Sequence, residues 1–181
     1  MADAKVLKPF VLSFEGGYCN NRSDRGGATN KGVTIATFRS VFGKDKTIEE
    51  LKNITDEQWE YIFKKYYWDA CKADLINDQS VANMLVDFAY NSGVARVSRF
   101  IQKIVGVTAD GIIGSKTIHA INNYPRGQRQ LFATLKQRRK KHYDGIVEAD
   151  PKQKKFYDGW MNRVNAIGYG TLTYKGKVYS V

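Results

Sequence analysis

Apolar residues recur at helical spacing along most of this chain. Val6, Leu7, Phe10, Val11 and Phe14 fall on one face at the i, i+3/i+4 and i+7/i+8 positions, which predicts a helix over residues 4–15. Pro9 conflicts with it locally and is tolerable only near a first turn. Gly16-Gly17 predicts the helix end, because glycine readily takes the left-handed conformation of a C-cap. Residues 18–34 lose the periodicity; Asn20, Asn21, Ser23, Asp24, Asn30 and the glycines among them predict loops and a small hairpin.

From about residue 34 the pattern is mostly helical again. Thr55-Asp56-Glu57-Gln58 fits a capping box, with Thr55 as N-cap and Gln58 at N3, opening a helix through Trp59, Ile62, Phe63 and Tyr66. Residues 79–91 predict a helix with Val81, Met84, Leu85, Phe88 and Ala89 on its apolar face, broken by Ser92-Gly93. Val97, Phe100, Ile101, Ile104 and Val105 mark the next helix, and a glycine-punctuated turn from Thr108 to Gly114 leads into a short one over 115–122. A strongly basic helix follows Pro125, then another in which Phe156, Trp160 and Val164 recur every four residues, so that Trp160 reads as core. The tail from Thr171 to Val181 alternates weakly, as a strand or a loose end.

With 181 residues, 43% hydrophobic and 26% charged, the chain is long enough for one globular domain with a sizeable core. No run approaches the roughly 18 apolar residues of a membrane span. The segment Met1 to Val6 lacks the apolar core of a secretory signal. Synthesis in the cytosol and a separate exit route are therefore expected. Cys19 and Cys71 are the two cysteines and are expected as free thiols. Metal-ligand spacing is absent and His119 and His142 are isolated, so neither metal nor cofactor is expected. The net charge of +11 favours polyanions: nucleic acid, anionic lipid, or wall polymers carrying carboxylates and phosphates.

Candidate chemistry concentrates between Phe14 and Thr34. A glutamate at the end of an apolar helix suits a proton donor, since the negative end of the helix dipole and apolar neighbours both disfavour its ionised form. Phe14 and Tyr18 would supply the apolar wall around Glu15. Asp24 offers a second carboxylate to accept a proton, and Thr29 or Thr34 a hydroxyl to hold water. Glycines 26, 27 and 32 permit tight turns and the approach of a bulky sugar. Glycosidic hydrolysis needs these parts: a donor for the leaving oxygen and stabilisation of an oxocarbenium-like transition state. Singly, each residue has a plainer reading, as a solvated glutamate, a turn aspartate or a strand threonine. The combination points to polysaccharide hydrolysis.

The run F-E-G-G-Y-x5-D-x-G-G-A-T-N-x-G-V-T, from Phe14 to Thr34, resembles the start of the glycoside hydrolase family 108 muramidases. That family is lysozyme-like, and some members are labelled secretion-activating proteins. Asp87 to Gly93 and Gly106 to Thr117 resemble its C-terminal half, usually described as a predicted peptidoglycan-binding domain; the similarity covers roughly residues 5–170. The resemblance implies a mainly α (α+β), lysozyme-like helical domain with a small β-hairpin/loop element at residues 18–36. It also implies an N-terminal catalytic lobe over 1–75 and a helical, wall-binding lobe over 76–181, packed as one globular unit. In the family pattern Glu15 is the catalytic residue of the E-G-G-Y motif. The Glu-x8-Asp spacing also resembles phage-type lysozymes, whose pattern continues Asp-x5-Thr. Here Thr29 comes one residue sooner, and Thr34 is the fallback. The family is often argued to need only the glutamate, which leaves Asp24 as either a base or a loop former.

Three further stretches carry both a structural and a functional reading. Asp110-Gly111 with Gly114 and Thr117 matches the D-G-x-x-G-x-x-T pattern of small wall-binding modules and equally makes a helix entry. Asp87 and Asn91 either line a saccharide groove or form a buried hydrogen-bonding pair, and Gln102 has the same two readings. Lys136, Arg138, Arg139, Lys140 and Lys141 read first as a solvated helix face and second as an attractor for an anionic wall. Tyr66, Tyr67 and Trp68 read mostly as core, with one ring available to a sugar face.

The resulting expectation is an N-acetylmuramidase that cleaves the β-1,4 bond between N-acetylmuramic acid and N-acetylglucosamine. Glu15 is its general acid, and Asp24 or Thr29 assists water in an inverting attack. Tyr18, Thr34, Asp87 and Asn91 are candidates to bind substrate. Peptidoglycan is the expected partner, without nucleic acid or stable membrane insertion. Export would run through a holin or a secretion system, and the enzyme would act in the periplasm or wall. A non-catalytic peptidoglycan-binding or secretion-assisting protein is the alternative. A nucleic-acid-binding protein is motivated by charge alone.

Overall fold

Asp3 starts the first helix, its carboxylate accepting from the Lys5 amide at 2.8 Å. The computed structural model describes residues 1–20 and 27–181. In it, α1 runs Ala4–Phe14 and buries Leu7, Phe10 and Val11, the predicted stripe. Two details differ from expectation. Pro9 lies well inside the helix, and the helix ends because Glu15 itself turns extended (φ −78°, ψ 129°). Neither Gly16 nor Gly17 adopts a positive φ, so the left-handed glycine cap is not what stops it.

Strands β1 (Cys19–Asn20), β2 (Ala28–Asn30) and β3 (Val33–Thr34) form a small antiparallel sheet in that order. Asn30 pairs with Val33, and the two residues between them, Lys31 (φ 45°) and Gly32 (φ 74°), both take positive φ. That is the two-residue hairpin turn whose twist matches the strands. The buried Asn30 amide donates to the Leu51 and Lys52 carbonyls, tying the sheet to α3 (Ile48–Lys52). Between them runs α2, Ile35–Phe42.

The Thr55–Gln58 capping box forms as predicted and opens α4, Asp56–Phe63. This helix widens into a π-helical turn over Lys64–Trp68, with Asp69 N donating to Lys64 O at 2.8 Å. Next comes α5, Gln79–Ser92, the centre of the molecule: every residue from Ser80 to Ala89 is buried. It packs against α1, the π-helical turn, and the later helices α6 (Val94–Val105) and α8 (Gln128–Ala149). Gly93 (φ 87°) joins α5 to α6. A short α7 (Ser115–Asn122) precedes α8, and α9 (Lys154–Asn165) follows it. The tail is ordered as an antiparallel sheet of β4 (Ile167–Gly168), β5 (Thr171–Tyr174) and β6 (Lys177–Ser180).

One connected apolar core runs from Ala2 to Leu172 and includes Trp59 and Trp68. The fold is mainly α, with a small antiparallel sheet where residues 18–36 predicted it. Three aromatic and charged positions depart from the sequence reading. Phe156 is 47% exposed and Trp160 only half-buried, stacked on Tyr143 at 5.1 Å, so of that row only Val164 is fully core. Arg139, read as part of a solvated face, is fully buried.

Candidate functional site

Helix α5 carries a single charged residue, Asp87, whose side chain is 0% exposed. A carboxylate there must be matched by buried cations. Two arginines supply them. Arg163 of α9 donates from Nη2 to Oδ1 at 2.7 Å and from Nε to both oxygens at 3.0 and 3.2 Å. Arg139 of α8 reaches Oδ2 from Nη1 at 2.7 Å, and its Nε donates to the Tyr143 hydroxyl at 3.2 Å. The remaining Nη1 of Arg163 donates to Glu15 Oε1 at 2.8 Å. Four helices thus meet through one ionic chain: Glu15 at the end of α1, Arg163, Asp87, Arg139.

Glu15 is the outermost member, with its side chain 11% exposed. Burial lifts its pKa above the ordinary carboxylate value. Arg163 pulls the other way through charge and hydrogen bond, and the Asp87 charge adds to the rise. The cause is therefore desolvation, because Glu15 stands in an extended cap and not within the last helical turn. Asp87 has the opposite outcome: burial alone would raise its pKa, but the two guanidinium groups hold it below the ordinary value. For Arg163, burial works against its charge, and Asp87 and Glu15 outweigh it. Two guanidinium groups and Asp87 sum to one positive charge, and an ionised Glu15 brings the group to neutrality.

The hairpin turn is the other wall. Tyr90 Oη donates to Lys31 O at 2.7 Å, and Trp59 Nε1 donates to the same carbonyl at 3.0 Å, which pins the turn to α5 and α4. Gly32 lies so close that a Cβ there would sit 2.5 Å from both Glu15 Oε2 and Tyr90 Oη. Oε1 therefore faces Arg163 and Oε2 faces the glycine. Tyr90, its hydroxyl kept protonated by burial and by the charge of Glu15, packs on Tyr67 at 4.6 Å.

The structure separates the residues singled out by sequence. Phe14 lies under Arg163, with the guanidinium carbon 5.5 Å from its ring centroid. Tyr18 is half-buried beneath Lys52 Nζ at 5.0 Å. Asp24 lies outside the described residues. Thr29 pairs with Cys19 and Thr34 across the sheet, so these three share the face opposite buried Ala28 and Asn30. Among the described residues the Thr29 hydroxyl makes only a long local bond, 3.4 Å to Gly27 O. Thr34 is the N-cap of α2, its Oγ1 accepting from the Thr37 amide at 3.1 Å. Asp87 lies beneath Arg163 and does not line an open groove. Asn91 is exposed one turn later, its amide donating to Asp87 O at 2.8 Å. Trp68 is wholly buried.

Arg163 and Arg139 were missed by sequence reasoning. A signal existed for Arg139, since Leu131, Leu135, Arg139 and Tyr143 form one row of the helix with a charge at an apolar position. Arg163 carries no such mark. In the C-terminal half, Gln102 organises the D-G-x-x-G-x-x-T turn. Its amide donates to Asp110 Oδ1 at 2.7 Å and to Ile112 O at 3.0 Å, and its carbonyl accepts from Gly111 N at 2.9 Å.

Residues 9–93 match the family model described as Glycosyl hydrolase 108, and residues 96–165 match the one described as Predicted Peptidoglycan domain. The solved structure of Brucella abortus SagA is 32% identical, with 90% of each chain covered and a TM-score of 0.76. No curated protein matches the chain by sequence. The boundary between the two family models falls at the α5–α6 junction, so Glu15 and Asp87 come from one matched segment and both arginines from the other.

Proposed function

The chain belongs to the glycosyl hydrolase 108 family, lysozyme-like glycoside hydrolases that act on peptidoglycan, and from that premise we propose that it is an N-acetylmuramidase with Glu15 as general acid. The observation that carries the proposal is the state of this carboxyl group: nearly closed off from water, raised in pKa by that burial, and held from one side by Arg163. A raised pKa keeps a proton available near neutrality. With Oε1 taken by Arg163, the transferable proton belongs on Oε2, over the open backbone of Gly32. Donation to the glycosidic oxygen between N-acetylmuramic acid and N-acetylglucosamine leaves an ionised Glu15 beside Arg163, which stabilises the charge as it forms. Asp24, or Thr29 with Thr34 as fallback, directs a water to the opposite face of the sugar, and the anomeric centre inverts. Tyr18 and Asn91 flank the substrate, and Asp87 acts on it only through Arg163.

Residues 1–75 form the catalytic lobe in this reading and 76–181 the wall-facing lobe, the second completing the first through Arg139 and Arg163. Export through a holin, as in a phage endolysin, or through a secretion system fits this reading. The target is the cell wall, and no described helix is long and apolar enough to cross a membrane.

The Glu15–Arg163 pair itself favours a second reading, a non-catalytic wall-binding protein in which Glu15 is a structural anion. Mass spectrometry of fragments from purified peptidoglycan, with wild type and Glu15→Gln, separates the two. The muramidase reading expects fragments ending in N-acetylmuramic acid from wild type and none from the variant. Fragments from both, or wall binding without fragments from either, refute it.

A further inference from the structure

Away from Glu15, exposed charge is arranged differently in the two halves. Before residue 74 several cations pair with carboxylates: Lys8 with Glu60, Lys31 with Asp56, Lys46 with Glu50, and Lys64 with Asp69. On α6 and α8, Arg96, Arg138 and Lys141 are exposed, and among the described residues none lies within ion-pair distance of a carboxylate. These three line a groove of about 410 Å³ together with His142, Gly145 and Ala149. Positions 138, 141, 142 and 145 recur at one-turn spacing and form a single face of α8, beside the row that carries buried Arg139. Gly145 and Ala149 keep the groove open.

His142 forms the floor. Its ring packs between Phe88 and Phe100, each 5.6 Å away between centroids. Its Nε2 is shut off from solvent and has no hydrogen-bond partner among the described residues. Arg138 is held at the rim by stacking on Phe100, its guanidinium carbon 4.3 Å from the ring centroid. The carboxylates nearby on α8, Asp144 and Glu148, belong to a separate depression with Lys154, and Asp144 accepts from the Tyr157 hydroxyl at 2.6 Å. Burial, Arg96, Arg138 and Arg139 all push the His142 pKa down. An oxyanion in the groove reverses that balance.

We propose that the α6–α8 groove is an oxyanion-binding site, with Arg96, Arg138 and Lys141 around the anion and the His142 ring beneath it. Its ligand is a phosphate or carboxylate group, the two oxyanions that a guanidinium fork recognises. The site is independent of the role given to Glu15.

The chain has two histidines, and His119 is exposed on α7, which supplies an internal control. Imidazole resonances should be followed by NMR while inorganic phosphate or acetate replaces chloride at constant ionic strength. The expected result is a saturable shift of His142, none at His119, and a higher apparent pKa for His142 when the anion is bound. Arg96→Gln and Arg138→Gln should each weaken binding about tenfold, with Lys152→Gln leaving it unchanged. Tighter binding of phosphate identifies a phosphorylated polymer as the source, and tighter binding of acetate a carboxylate-bearing one. Lack of saturation at His142 with either anion, or saturation that survives both arginine substitutions, overturns the site.

Discussion

Asp87→Asn perturbs the ionic chain at its centre while preserving shape. The carboxylate accepts from Arg163 Nε and Nη2 and is paired with Arg139 Nη1, at 2.7–3.2 Å, with no exposure to water. An amide keeps the volume, removes the charge and turns an N–H toward a guanidinium. Removing one partner of a buried ion-pair network costs roughly 3–5 kcal/mol, because the opposing charges stay buried. At about 2–4 °C per kcal/mol for a chain of this size, the melting temperature should fall by about 10 °C. A second consequence concerns Glu15 alone. Asp87 raises the Glu15 pKa through its charge and shares Arg163 with it. Without Asp87, Arg163 turns its full charge on Glu15, so the Glu15 pKa falls. The alkaline limb of wall clearing should move to lower pH. Urea denaturation and turbidity clearing across pH measure the two effects separately. Unfolding free energy within about 1 kcal/mol of wild type, or an alkaline limb that stays put or rises, refutes the reasoning. Replacing Asp87, Arg139 and Arg163 together by Leu, Met and Met removes the charges buried beneath Glu15. That triple variant should regain stability while remaining inactive.

Three further outcomes follow from the same site. Because the folded pKa of Glu15 is raised, its stabilising contribution is fully present below the ordinary value of 4.5 and is lost as pH rises through the folded pKa. Wild type should therefore lose stability relative to Glu15→Gln over that window, and a pH-independent difference in urea midpoint would contradict this. Gly32→Ala places a Cβ 2.5 Å from Glu15 Oε2 at a φ of 74°. It should cost about 1–2 kcal/mol in backbone strain and abolish wall clearing while circular dichroism stays native. Cys19 is exposed, and Cys71 is buried with its thiol pushed up to about 12. A thiol reagent should label one cysteine in the folded protein and both in denaturant; rapid labelling of both in the folded state would place Cys71 wrongly.

Local order was legible in the chain wherever the physics is local. The α1 stripe, the Thr55–Gln58 capping box, the Gly93 break and the Lys31-Gly32 turn each depend on residues within a few positions of one another. The departures lie where packing between distant elements enters. Gly16-Gly17 was read as a left-handed cap, yet Glu15 leaves the helix first, with its carboxylate bonded to Arg163. Arg139 looked solvated because its neighbours Arg138 and Lys141 are, although its own row of the helix is apolar.

By itself the sequence determined that a lone carboxylate would stand at the end of a buried helix, facing a glycine hairpin, in a mainly α chain with excess cations. Helical period, capping and turn chemistry act over a handful of residues and leave their pattern in the order of letters. Tertiary structure decided what that carboxylate is bound to. Arg163 lies 148 positions from Glu15, and its choice of partner depends on how α8 and α9 are rotated against α5. A charge buried in α5 requires a counter-charge, but only packing selects which arginine arrives and which oxygen of Glu15 is left free.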